Sequence, residues 1–164
     1  MRLLNSLVLA FIIVFISACN PTLPGTELVD GDYAPRDHWS GQWRVVNIWA
    51  QWCKPCWQEI PELNRFHALQ GAEDVKLLGY NFDQLERNEL LQLKQEMSIQ
   101  FPVLTAWPEN WHKPEVKGLP ATIIMAPDDS ISRVLLGPQS LSSLHKAIKD
   151  AVVDFEMIDN KARQ

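Results

Sequence analysis

The sequence Cys53-Lys54-Pro55-Cys56 follows directly on the apolar run Val45-Val46-Asn47-Ile48-Trp49-Ala50, and that junction limits the fold more than any other feature. A nearly continuous apolar run of this length reads as a strand buried on both faces. Downstream, Ile60, Leu63 and Phe66 recur at helical spacing, which predicts a helix over Lys54 to Leu69. The cysteines therefore stand where a buried strand gives way to a helix. A helix N-terminus offers unpaired N–H groups and partial positive charge, both of which stabilise a thiolate. The C-x-x-C spacing puts both sulfurs on one helical turn, within reach of a disulfide. Pro55 is tolerated there because first-turn N–H groups have no helical partner. Cys53, at the mouth of the helix, is expected to be exposed and to attack. Cys56, one turn inside, is expected to be covered and to resolve the mixed disulfide.

Two other uses of the same spacing stay open. Half of a zinc site would need two further ligands, but the other cysteine, Cys19, is distant and His38, His67, His112 and His145 are scattered. No metal and no cofactor are expected. A static disulfide between Cys53 and Cys56 would close a very small loop and constrain the unfolded chain little.

The rest of the chain continues an alternating pattern. Residues 75–82 read as a second strand, and 84–97 as a helix carrying Leu90, Leu93 and Met97. Residues 102–106 suggest a short extended piece. Pro108 and Pro114 make 107–117 irregular. Residues 121–126 and 131–136 read as strands joined by the turn Pro127-Asp128-Asp129-Ser130. Ser140 is placed to cap a last helix with Leu141, Leu144, Ile148, Val152 and Phe155 on one face. A parallel βαβ unit followed by an antiparallel hairpin and a helix makes the expected class α/β, a central mixed sheet with helices on both faces.

The N-terminus reads as an address. Arg2 is followed by an unbroken apolar run from Leu7 to Ile16. That run is too short to span a bilayer and fits the core of a secretory signal peptide, with an uncleaved anchor helix as the alternative. Ile16-Ser17-Ala18-Cys19 resembles the bacterial lipobox. The resemblance implies that residues 1–18 are removed and that Cys19 is acylated as the new N-terminus, giving stable membrane attachment. Cys19 would then account for the odd cysteine count. Residues 19–30, with Pro21, Pro24 and Gly25, are expected to be a tether, leaving 31–164 as the domain. In Gram-negative bacteria an Asp directly after the lipidated cysteine resembles an inner-membrane retention signal, and Asn20 in that place implies an outer-membrane address instead. Net charge is −5 and Arg2 is the only charged residue before Cys19, so the processed chain carries −6. With no basic block, nucleic acid is excluded as a partner, and a monomer is expected.

The stretch 45–63, through Cys53-Lys54-Pro55-Cys56-Trp57-Gln58-Glu59-Ile60-Pro61, resembles the active-site segment of thioredoxin-like proteins. It is most similar to the membrane-tethered disulfide reductases of the TlpA/ResA/CcmG group, and Gly118-Leu119-Pro120-Ala121-Thr122 matches that family's cis-proline loop. The resemblance implies a thioredoxin-like fold and a thiol–disulfide oxidoreductase facing the extracytoplasmic side of a bacterial envelope. It implies a cis Leu119–Pro120 bond, with the backbone of this loop pairing to a substrate strand. It also implies that Glu59, on the same helix face as Cys56, exchanges protons with the cysteine pair; a solvated glutamate is the alternative. Asn47 stands where thioredoxin has a buried Asp, and it cannot accept that proton. Trp52 is expected beside the disulfide as part of the substrate rim, or as a purely structural tryptophan.

Implied partners are oxidised protein clients, such as apocytochrome c, and a membrane thiol–disulfide transporter of the DsbD/CcdA type as electron donor. The Lys-Pro dipeptide without histidine favours reduction over oxidation or isomerisation. A copper chaperone of the Sco kind would use C-x-x-x-C. A peroxidase would resemble P-x-x-x-T-x-x-C, where this chain has Val46 and Ala50. A redox-inactive binding module is the remaining alternative.

Overall fold

Seven residues, Trp43–Trp49, form the middle strand of the molecule, and six of the seven are buried. Such burial is what a two-faced apolar run requires. In the computed structural model, which describes residues 25–35, 37–69 and 75–163, the elements run β1 (Gly25–Glu27), β2 (Tyr33–Pro35), β3 (Trp43–Trp49), α1 (Lys54–Leu69), β4 (Val75–Asn81), α2 (Arg87–Glu96), β5 (Val103–Leu104), β6 (Ala121–Met125), β7 (Ile131–Leu136) and α3 (Leu141–Ala162). The main sheet has the order β5-β4-β3-β6-β7. β3, β4 and β5 are parallel, while β6 and β7 run antiparallel to their neighbours. The mixed sheet and the βαβ-then-hairpin order are as the sequence predicts.

Alternation along β3 divides the interior into two layers. Val45 and Trp49 face the layer that holds Ile60, Leu63 and Phe66 of α1, Leu90 and Leu93 of α2, and Leu144, Ile148 and Ala151 of α3. Gly79 of β4 makes room there, since a Cβ at that position would lie 3.1 Å from the Trp49 indole nitrogen and 3.0 Å from Phe101. Val46 and Ile48 face the second layer. Its cover is not helical among the described residues, which departs from the expected helices on both faces. Trp39, Trp107, Trp111 and Val116 pack there instead. The physical reason lies in 107–117: Pro108 and Pro114 deny the segment a helical ladder, and tryptophans supply the apolar area. Trp107 stands edge-on to Tyr80 with ring centroids 5.3 Å apart, and Trp39 meets Trp111 at 5.6 Å. Arg44 closes this layer from below, bonded to Asp129 Oδ1 at 2.5 Å and lying 5.0 Å from the Trp111 ring centroid.

The expected tether over 19–30 ends earlier. Gly25–Glu27 pairs with Tyr33–Pro35 as a hairpin, Val29 is fully buried, and the Val29 N–H donates to the Val103 carbonyl at 2.9 Å. This segment covers the exposed edge of short β5, where unpaired backbone groups would otherwise stand. The domain thus includes residues 25–30. The predicted signal peptide, Cys19 and the first part of the tether lie outside the described residues. Among the described residues no helix is long and apolar enough to cross a membrane.

Candidate active site

The site is built where β3 ends. After Trp49 the chain turns, with the Cys53 N–H donating to the Ala50 carbonyl at 3.2 Å, and α1 begins at Lys54. Cys53 and Cys56 are joined as a disulfide with their Cα atoms 5.3 Å apart. The Cys56 N–H, which donates to the Cys53 carbonyl at 3.0 Å, also reaches Cys53 Sγ at 3.3 Å, so a first-turn N–H of α1 is shared with that sulfur. Cys53 is less covered than Cys56, but at 3% against 0% exposure it is not the open residue that chain position suggests. The turn from Ala50 folds it back toward the sheet, and Leu119 packs against the same cluster.

Glu59 lies one turn beyond Cys56 and is 1% exposed. Burial of the carboxyl raises its pKa from 4.5 to about 7, against two hydrogen bonds that favour the charged form. Those bonds come from the Gln139 N–H to Oε2 at 2.8 Å and from Asn47 Nδ2 to Oε1 at 2.7 Å. Asn47 also reaches Thr122 Oγ1 at 3.3 Å and is its register partner across β3 and β6. One turn further along α1, Glu62 accepts the Leu141 N–H at 3.0 Å. Two carboxylates of α1 therefore hold the entry to α3, where Ser140 is the N-cap.

The Leu119–Pro120 bond is cis. Pro120 is buried and its carbonyl accepts the Gly137 N–H at 2.9 Å, tying the loop to the end of β7. Gly137 has φ of +86°, a left-handed conformation that suits glycine. Trp52 is 65% exposed. Its indole N–H donates to the Asp83 carboxylate at 3.0 Å, and its ring stands edge-on to Phe82. Trp57 donates its indole N–H to the Gln51 carbonyl at 2.8 Å. Among the described residues no group of three or more His, Cys, Asp or Glu side chains is placed to hold a metal ion.

The structure thus brings Cys53, Cys56, Glu59 and Leu119 together, sets Trp52 at the rim, and leaves Cys19 outside the described residues. It adds three groups that sequence reasoning missed. Thr122 was legible in principle, as the one polar residue in the otherwise apolar, wholly buried strand β6. Asn47 reads from the sequence only as a failed proton acceptor, and its role as a donor needs the neighbours that the fold supplies. The Gln139 N–H carries no sequence signal at all.

A model of the AhpC/TSA family matches residues 18–134. A thiol:disulfide interchange protein, DsbE, of Allochromatium vinosum is 33% identical over 126 residues, covering 74% of this chain and 66% of that protein. The sporulation thiol-disulfide oxidoreductase A of Bacillus subtilis is 24% identical over 107 residues, covering 63% of this chain and 65% of that protein. The chain therefore spans about two thirds of the length of these relatives. Among solved structures, a thioredoxin-family thiol:disulfide interchange protein from Chlorobium tepidum superposes with a TM-score of 0.63 at 22% identity, covering 82% of this chain and 99% of that one. StoA from Bacillus subtilis gives 0.61 at 19% identity, covering 77% and 98%. The names ResA, StoA and DsbE among its relatives are those of the group that the active-site segment resembles. The chain has a thioredoxin-like fold and belongs to the AhpC/TSA family.

Proposed function

We propose that this protein is an extracytoplasmic thiol–disulfide oxidoreductase that reduces disulfides in envelope proteins, held to a membrane by lipid on Cys19. The observation that carries the reading is the Cys53–Cys56 disulfide at the N-terminus of α1 with a buried carboxyl, Glu59, one turn behind it. In the reducing direction, the Cys53 thiolate attacks one sulfur of a client disulfide. The client S–S bond breaks, an enzyme–client disulfide forms, and the other client sulfur leaves as a thiolate. Glu59 takes the proton of the Cys56 thiol, and the Cys56 thiolate then attacks Cys53 Sγ. The second client sulfur leaves as a thiolate, the two client thiolates take up the one proton that Glu59 releases and one from water, and the enzyme is left oxidised. A membrane dithiol donor of the DsbD/CcdA type restores the reduced pair. Apocytochrome c is the client class that the family resemblance favours.

The Leu119–Pro120 loop supplies backbone for an extended client segment, and Trp52 forms an apolar rim beside it. A peroxidase is disfavoured, because Val46 and Ala50 stand where that pattern needs Pro and Thr. Titration of the disulfide against defined thiol buffers tests the direction. A potential near or below about −270 mV, the thioredoxin value, supports a reductase. A potential near about −120 mV, the DsbA value, would make the protein a disulfide donor instead. The anchor is tested separately. Cys19→Ser is expected to move the protein from the membrane to the soluble fraction on cell fractionation, since one apolar run of ten residues holds a bilayer poorly. Outer-membrane placement, suggested by Asn20, predicts co-sedimentation with outer-membrane vesicles.

A further inference from the structure

Asn47 is sealed inside the protein with more hydrogen-bonding capacity than it uses. It is 0% exposed on the central strand. Its Nδ2 donates both to Glu59 Oε1 and to Thr122 Oγ1, at 2.7 and 3.3 Å. Its Oδ1 is buried and accepts no hydrogen bond among the described residues. An unpaired buried acceptor is a standing cost, and nothing in the packing of β3 requires an amide at this position. A buried apolar side chain would serve the sheet as well.

Both neighbours of Nδ2 can exchange roles. A carboxylate only accepts, but a carboxylic acid has an O–H to donate, and a threonine hydroxyl does either. The two orientations of a carboxamide have nearly the same shape, so both fit one cavity. Half a turn of the amide puts Oδ1 where Nδ2 stands. It would then face two groups able to donate to it, the Glu59 acid and the Thr122 hydroxyl.

We propose that Asn47 is a positioning residue whose carboxamide turns over with the proton on Glu59, donating through Nδ2 to the carboxylate and accepting through Oδ1 from the carboxylic acid. The inference rests on the reading of Glu59 as the proton partner of Cys56. When Glu59 takes the Cys56 proton, an S–H bond breaks and an O–H bond forms on the carboxyl. The new O–H donates to Asn47 Oδ1 and no further proton moves. Loss of the proton reverses the turn. Thr122 accepts in one state and donates in the other. It lies two residues beyond Pro120, so the change reaches the strand that carries the client-binding loop.

The arrangement explains how one buried carboxyl can be kept in both proton states. A site with donors alone would hold it ionised, and an apolar site would hold it neutral. The groups set around Glu59 are few. From its own helix they are Cys56 and Glu62. From β3 comes Asn47, from β6 Thr122 by way of Asn47, and from the loop before α3 the Gln139 N–H. Glu62 is held below the ordinary carboxylate range by the Leu141 N–H. In the disulfide form Glu59 is therefore the group of this set that titrates near pH 7.

The test is an NMR titration of the full-length disulfide form in detergent, labelled with 15N-asparagine and carboxyl-13C-glutamate, across a window of about two pH units either side of the Glu59 value of about 7. The Asn47 side-chain amide and the Glu59 carboxyl are expected to move together with one midpoint. In Glu59→Gln, whose amide imitates the acid, the Asn47 signal is expected to stay at its low-pH position throughout. In Asn47→Leu the Glu59 midpoint is expected to rise by about half a unit to one unit, because the bond to the charged form is the stronger of the two. A static Asn47 that only donates would raise that midpoint as well, so the turnover itself is read from the Asn47 amide signal. If Glu59 titrates while the Asn47 amide stays flat, the turnover is wrong and the proton role of Glu59 survives. If Glu59 fails to titrate anywhere in the window, the proton reading itself falls and takes this inference with it.

Discussion

Cys56→Ser is expected to stop turnover and leave Cys53 covalently joined to its client, whereas Cys53→Ser is expected to abolish the reaction and trap nothing. Each loss should be at least ~10³-fold in the rate of disulfide reduction, the scale seen when a nucleophile is removed. The asymmetry follows from position. Cys53 Sγ receives the first-turn N–H of Cys56 and belongs to the less covered of the two cysteines. Its thiolate is the one that the helix terminus stabilises. Cys56 is fully buried and reaches no client before Cys53 has done so. Non-reducing electrophoresis of the membrane fraction after thiol trapping reads the outcome. An adduct in the Cys53→Ser protein and none in Cys56→Ser would reverse the assigned roles. Unchanged activity in both would leave only a binding module.

Glu59→Gln is the second large effect, and it appears in stability as well as rate. The folded carboxyl titrates at about 7 and the unfolded one near 4.5. Between those values the folded chain keeps a proton that the unfolded chain has lost. Stability from this group is therefore complete below the unfolded value and disappears as pH rises through the folded one. The loss amounts to roughly 3 kcal/mol at the upper end. The glutamine variant lacks this slope, so it should gain on the wild type as pH rises from 5 to 8, by about 3 kcal/mol in urea unfolding. Its catalytic rate should move the other way. Without a proton acceptor beside Cys56, the resolving step should slow by about 10²-fold and lose its inflection near pH 7. Parallel stability curves for the two proteins would show that burial does not hold Glu59 neutral. An unchanged rate profile would remove it from the chemistry.

β3 and α1 could be read directly, because an unbroken apolar run and a helical repeat are local patterns, and the C-x-x-C lies at their junction. The hairpin of β6 and β7 was equally plain from Pro127 to Ser130. The start of the domain was not. Gly25–Glu27 and Tyr33–Pro35 are three residues each, too short for any period to emerge between prolines, and they fold because β5 has an edge to cover. The face opposite the helices was also hidden. Its prolines announced an irregular segment at 107–117, but irregular segments do not say which layer they cover.

The amino-acid order carries the chemical parts: two cysteines at a helix mouth, a glutamate one turn on, and a cis-proline loop recognisable by resemblance. The cysteines and the glutamate are a matter of spacing along one element, and the loop rests on resemblance alone. What the tertiary structure alone decided is the state of those groups. It closes Cys53 to 3% exposure and buries Glu59. It aims Asn47 and the Gln139 backbone at the two oxygens of that carboxyl, from residues 12 and 80 positions away. A pKa depends on what surrounds a group in space, and for Glu59 those surroundings come from a neighbouring strand and from a loop that the chain reaches only after its last strand.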